Sequence, residues 1–430
     1  MIKAMKALMN DRRGNVLVMV GFSMPLLVGF AGLATDTVQW SLWKRQLQRA
    51  ADSAAIAAVY AKQDSMSAES AVTRDLAHTQ NTGFTLLGAP QITHPTVSGY
   101  NYTTRVQLQL QRELSFSSFF MTSAPVITAA ATAAATPGGD YCVISLEPNA
   151  TQGIYATGNS NLQLGCGMIT NATDLNGAAF ATGSAVVNAS PIAAVGGINT
   201  TSTNWASGTE FQPYTSPMED PFAGVQANPP STCNGGAMTV NSNQTRVQSY
   251  DSSNPANNCF TSIRVRGTLT LAPGTYYVSG GDFDLGSQAE VYANNGVTIV
   301  MTNVSTSPTA TIGSVEMNGG SQLQIQAPDT GDFAGIAIYQ DRRASDTNNS
   351  GAANSPNKIN GGNTSFYRGA LYFPSQQVTY NGNSSANVAC MQLVTRRVYF
   401  SGAANITNTC PPGSASGSFS APDGQVRLIA

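Results

Sequence analysis

The chain has 430 residues, of which 10% are charged and 42% hydrophobic, with a formal net charge of −2. Charge is far below the usual quarter of residues, and Ser, Thr, Asn, Gln and Gly replace it, as in exported β-rich proteins. The length allows two or more domains and a sizeable core, while the near-neutral charge excludes an electrostatic case for nucleic acid.

Residues 1–13 form a short basic tail, with Lys3, Lys6, Arg12 and Arg13. Residues 16–34 then carry no charge before Asp36, close to the ~20 apolar residues that cross a bilayer. Pro25 is tolerated in such a span, and Trp40 and Trp43 suit its far interface. A cleaved secretory signal has a shorter apolar core, of about 7–15 residues. No helix breaker follows Ala34, so the span is expected to continue as one helix to about Lys62. Ala50, Ala51, Ala54, Ala55, Ala57 and Ala58 give that helix a small-residue surface. It suits close approach of another helix and packing against the chain's own next module equally well. Lys44, Arg45 and Arg49 nearly balance the basic tail, and the composition and cysteines favour an N-terminus inside.

The same stretch resembles the N-terminal segment of the Tad (Flp) pilus-assembly TadE/TadG-like proteins. Arg13-Gly14-Asn15 precede the span, Gly32 and Asp36 close it, and Leu47-Gln48-Arg49-Ala50-Ala51-Asp52-Ser53-Ala54-Ala55 follow on the helix. The resemblance implies a bacterial inner-membrane protein of the type IVc pilus apparatus. Its partners would be the lipid bilayer and other Tad pilus-assembly membrane proteins. Asp36, Leu47, Gln48, Ala51, Asp52, Ala54 and Ala55 would be its assembly positions. Prepilin-like relatives carry Glu five residues after the cleaved glycine, where this chain has Met19, so an uncleaved anchor is expected.

Residues 63–139 read as a small α+β module. A helix is expected at 67–81, an alternating strand at 103–114, a helical turn around Phe119 and a strand from Val126. Pro137-Gly138-Gly139 mark a boundary. From 140 to 430 short apolar alternations recur between Gly, Asn and Ser turns, and the phrase around Gly158 is echoed around Gly183. The fold expected is therefore mixed: a transmembrane α-helix, a small α+β module, then a β-rich domain. For the last, a right-handed parallel β-helix is favoured over a β-sandwich. Residues 204–234, with five prolines, are expected to leave the coil. The phrases at 335–342, 359–362 and 370–385 and the pair Cys390 and Cys410 also resemble the C-terminal part of longer TadG-like proteins.

The cysteines form three successive pairs, Cys142 and Cys166, Cys233 and Cys259, Cys390 and Cys410. Neighbour pairing is favoured among the possible connectivities, closing loops of roughly 20–26 residues, worth about 3–4 kcal/mol each. No nucleotide motif, metal cluster or cofactor fingerprint is present. Only His78 and His94 are available for a Ser-His-Asp triad, which makes one improbable. Asp282, Asp284 and Glu290 are the one carboxylate set of glycosidase type, against a solvated or turn-capping role. The cluster 339–343 reads as an ion-paired loop or a sugar contact. The function expected is a non-catalytic, membrane-anchored pilus-assembly component. A surface adhesin or glycan-binding protein and a polysaccharide-active enzyme are the alternatives.

Overall fold

The computed structural model describes residues 14–79, 85–98, 100–136, 138–346, 356–360, 365–381, 385–388, 390–408, 419–420 and 425–429. The basic tail, Pro137 and Cys410 lie outside them. The chain divides into two compact units, 1–137 with 426–430, and 138–425.

In the first unit α1 (Gly14–Gln63) is one continuous helix with Pro25 inside it. It is long and apolar enough to cross a membrane, and its apolar stretch is almost entirely unburied. Beyond that stretch the Ala-rich face packs inward, with Leu47, Ala51, Ala54, Ala55 and Val59 fully buried. A second helix, α2 (Ala68–Thr79), begins where Ser67 Oγ accepts the Ser70 amide at 3.1 Å, an N-cap bond. β1 (Gln91–Thr93), β2 (Asn101–Gln111) and β3 (Val126–Ala135) form an antiparallel sheet. Alternation in β2 turns Val106, Leu108 and Leu110 toward α1, and β3 adds Ala129, Ala131, Ala133 and Ala135 to the same core. Alanines on both helix and strand let the backbones approach closely.

The sheet's fourth strand, Val426–Leu428, is last in sequence and pairs antiparallel with β3, Ala133 opposite Leu428 and Ala135 opposite Val426. The second unit is thus inserted between two neighbouring strands of the first. Truncation after Gln425 removes that ladder, uncovers the core around Val426 and opens the edge of β3. It is expected to cost about 1–3 kcal/mol and to promote association through the free edge. Thermal unfolding and light scattering of the truncated chain measure both.

The second unit is built almost entirely of short parallel strands, and through most of it each strand pairs with one three positions further along the chain. One ladder runs through Thr239, Arg264, Asp284, Glu316, Lys358, Thr379, Tyr399, Tyr155 and Phe180 as successive partners. The neighbouring positions Val265, Leu285, Met317, Ile359, Tyr380 and Phe400 form an apolar inner row and are fully buried. A second ladder buries Leu269, Val291 and Leu323, and a third buries Tyr276, Ile299, Ile338, Leu371 and Leu393. Period-two alternation thus sends one residue into the interior and the next outward along each strand.

The stacking order is not the chain order. Leu393, Val394 and Thr395 of the strand Cys390–Phe400 pair in parallel with Val143, Ile144 and Ser145 of the strand Asp140–Ser145. The layers first in sequence therefore continue the stack beyond the last ones, and residues 214–236 connect the far end back to the start. Their hydrogen bonds trace the return. Tyr214 and Thr215 amides reach the carbonyls of Gly196 and Ala194, Met218 is clasped by Asn171 at 2.8 Å, and Val225 O accepts from Tyr339 Oη at 3.0 Å. Cys233 then ends the run in a disulfide with Cys259. Nine strand spacings amount to ~43 Å, well within the reach of ~65 Å for roughly 20 extended residues.

One corner explains the echoed phrases. Gly158, Gly183 and Gly402 all adopt positive φ, of 69°, 69° and 64°. A Cβ on Gly158 would lie 2.9 Å from the Gly402 backbone nitrogen. Stacked left-handed corners in contact admit only glycine. The strand Phe366–Tyr380 contains Pro374, and its register shifts between Phe373 and Gln377, the irregularity a proline needs within a ladder.

Candidate assembly helix and outer faces of the β unit

The helix positions singled out from sequence fall into two groups. Leu47, Ala51, Ala54 and Ala55 face the core of their own unit. Gln48 and Asp52 lie at its margin, where Gln48 Nε2 donates to Asp52 Oδ1 at 2.8 Å and to Ala130 O at 2.9 Å. Ser53 Oγ donates to Asp75 Oδ1 at 2.9 Å and ties α1 to α2. Lys44 Nζ bonds Thr128 O, and the Arg112 guanidinium lies 4.9 Å over the Trp43 ring. The small-residue face is therefore filled by the chain's own strands. What α1 leaves uncovered is its apolar stretch, including Phe22, Leu26, Leu27 and Phe30.

Asp36 ends that stretch and is 3% exposed. Its carboxylate accepts from the amides of Phe116 at 2.9 Å and Ser117 at 2.5 Å, and from Ser117 Oγ at 2.5 Å. A carboxylate withdrawn from water needs such donors. It fixes the loop that opens the short helical turn Ser117–Phe119, the turn predicted around Phe119.

In the β unit the disulfides Cys142–Cys166 and Cys233–Cys259 form as neighbour pairs. Cys390 is buried at the head of its strand. Asp284 is held by Arg266 at 2.7 Å and Arg264 at 3.2 Å. Asp282 accepts from the Ser314 amide and hydroxyl at 2.8 and 2.9 Å, and Glu290 accepts from Tyr292 Oη at 3.3 Å. All three carboxylates are engaged in pairs and turns, the arrangement of a structural ladder. Among the described residues no group of three or more His, Cys, Asp or Glu side chains is placed to hold a metal ion.

The cluster 339–343 works as two clamps. Arg343 pairs with Asp341 at 2.7 Å and bonds the carbonyls of Asn303, Ser305 and Ser307. Arg342 bonds Asp220 at 3.0 Å and the carbonyls of Phe222 and Val225. Asp341 and its partner Thr302 are buried. Burial alone would raise the Asp341 pKa, but Arg343 and Thr302 hold it below the ordinary carboxylate value.

Two features had no clear sequence signal. Glu147, wholly buried, meets Arg396 and Arg397, and no spacing rule joins residues 250 apart in sequence. Tyr399, Tyr155 and Phe180 stack on successive layers, with centroids 5.0 and 5.7 Å apart and planes within 6°. They occupy the half-exposed outer side of their ladder.

Among the described residues these features are one N-terminal helix long and apolar enough to cross a membrane and a strand-rich region after it. Residues 14–63 match the family model described as Putative Flp pilus-assembly TadE/G-like. The match is coextensive with α1. No curated protein and no solved structure matches the chain.

Proposed function

We propose that the protein is a non-catalytic component of Tad/Flp pilus assembly. It is held in the bacterial inner membrane by α1 with the N-terminus cytoplasmic, and it presents residues 138–425 on the periplasmic side as a parallel β-helix. The observation that carries this reading is the Tad-type match over a helix whose apolar stretch is unburied. Parallel pairing three strands apart supports the β-helix assignment, and the disulfides support an oxidising compartment. Leu47, Ala51, Ala54 and Ala55 serve assembly indirectly, by locking the helix to its own module. The uncovered part of the same helix meets lipid and partner membrane helices. Gly21 and Gly29, which face open space, permit a close helix approach there.

A clean deletion is expected to abolish or strongly reduce surface pili, counted by electron microscopy, with full-length protein restoring them. Normal piliation in the deletion strain sinks the proposal. In the complemented strain, N-terminal sequencing of the inner-membrane protein is expected to read from Met1. A terminus at Asn15 would mean processing despite Met19.

A second reading, a surface adhesin or glycan-binding protein, has one observation in its favour. The stacked outer row of Tyr399, Tyr155 and Phe180 is a surface on which apolar sugar faces can pack. Glycan binding by the full chain, with normal pili in the deletion strain, would favour it.

A further inference from the structure

A second apolar element lies beside the membrane helix. The loop 115–121 carries Phe119, Phe120 and Met121 at 82, 75 and 47% exposure. Three consecutive large apolar side chains left in water are not an ordinary surface of a soluble module. Their position relative to α1 is fixed from two sides. The Phe116 ring lies against Gly32, where a Cβ would fall 2.3 Å from its Cγ. One helical turn on, Asp36 receives the amides of Phe116 and Ser117 and the Ser117 hydroxyl. Gln39 also bonds Ser115 Oγ at 3.0 Å.

The depth of that attachment follows from helix geometry. At a rise of 1.5 Å per residue, the roughly 20 residues from Val16 to Asp36 span ~30 Å, the thickness of the hydrocarbon core. Asp36 therefore marks the far boundary, and Gly32 lies ~6 Å inside it. A ring packed on Gly32 is at or below the interface, and the Phe120 ring lies beside it, with its centroid 5.3 Å from that of Phe116. Asp36, so placed, is a carboxylate at the edge of hydrocarbon, and the loop's three donors are the partners it needs there.

We propose that the loop 115–121 is a second membrane contact, with Phe119, Phe120 and Met121 inserted into the outer part of the bilayer beside α1. The occupant of this surface is lipid. One helix leaves a module free to swivel and tilt about its exit point, whereas two contacts fix how the module stands on the membrane. Exposed apolar side chains at the end of a turn are the means by which interfacial elements bury themselves at the headgroup–acyl boundary. The proposal rests on α1 being the membrane anchor.

The test uses the full chain reconstituted in vesicles of phosphatidylethanolamine and phosphatidylglycerol. A spin label is placed singly at Phe119→Cys, Phe120→Cys, Leu26→Cys or Ser70→Cys. Residues 119 and 120 are too exposed for the substitution to endanger folding. Accessibility to oxygen is compared with accessibility to a water-soluble nickel chelate. The ratio at 119 and 120 is expected to shift toward the value at Leu26 and away from that at Ser70. Aqueous values at 119 and 120 with a lipid value at Leu26 overturn the loop contact alone. Exclusion of both reagents at 119 and 120 means a protein partner and overturns it as well. An aqueous value at Leu26 overturns the anchor and the loop contact together.

Discussion

Glu147→Ala is expected to destabilise the β unit by about 2–3 kcal/mol, because the buried Arg397 loses one of its two carboxylate partners and keeps only Asp346. Glu147 has no exposed surface, and Arg397 is only 3% exposed. The carboxylate accepts from Arg396 Nε at 2.9 Å and from Arg397, and its other oxygen takes the Asn149 amide and side chain at 3.1 and 2.7 Å. Asp346 completes the cluster at 2.6 Å from Arg397 and 3.2 Å from Arg396. The cluster sits at the joint where the layers first in sequence stack on the last. Glu147 follows the strand Asp140–Ser145, and the two arginines follow its partners Leu393, Val394 and Thr395. Amide exchange should therefore accelerate first at residues 143–145 and 393–395.

The pH dependence has a definite sign. Burial alone would raise the Glu147 pKa, but the hydrogen bonds and charges of Arg396 and Arg397 outweigh it and hold the pKa below the ordinary 4.5. A carboxyl that is more acidic when folded stabilises the fold above its unfolded pKa. That contribution fades as pH falls through the folded value. The wild-type chain should thus lose stability below about pH 4.5. Glu147→Gln, which keeps an acceptor but no charge, should be less stable at neutral pH and flatter in acid. Chemical denaturation of both chains across pH 3–7 measures the slopes, about one proton apart at most. Equal acid slopes would remove Glu147 from the account.

What sequence reveals here follows the range of the interactions. The membrane helix and its extension are written in consecutive residues, from the uncharged run before Asp36 to the alanines beyond Leu47. α2, β2 and the turn at Phe119 are local patterns as well. The glycine corners at 158 and 183 are visible because stacked layers repeat the same backbone demand. The joint between Val143 and Leu393 is different. It depends on which edge of one layer meets which edge of another, and any parallel strand of suitable alternation offers the same hydrogen bonds. Its specific determinant is the Glu147 cluster, assembled from positions far apart in sequence. Val426–Leu428 is equally silent, because three residues carry no period that names their sheet. The carboxylates at 282 and 284 look reactive in sequence because their partners, Ser314, Arg264 and Arg266, lie 18 to 32 residues away along the chain.

The inserted order of layers also explains the proline-rich segment, and it yields the second large effect. The outer side of the third ladder is apolar: Val300, Tyr339, Tyr372, Val394, Ile144 and Ile169 are successive partners and all buried. Parallel sheets need cover on such a face, and here the return segment supplies it. Phe222 packs edge-on against Tyr372 at 5.4 Å, and Ala227, Met218 and Val225 join the same cluster. Prolines suit a segment that lies over a sheet without pairing into it, since they lack the amide hydrogen a ladder requires. Arg342 is the clamp, bonded to Asp220, Phe222 and Val225, and Tyr372 Oη adds a 2.7 Å bond to Asp220. Arg342→Ala removes three charge-assisted bonds to the segment and should loosen it by about 2–3 kcal/mol. Amide exchange across 218–227 should then speed by roughly 30- to 150-fold, with new binding of a hydrophobic dye to the uncovered tyrosines. Because Cys233–Cys259 still ties the far end, Cys233→Ser in the same chain should extend fast exchange toward residue 233. Unchanged protection of 218–227 in Arg342→Ala would show that apolar packing alone holds the segment down.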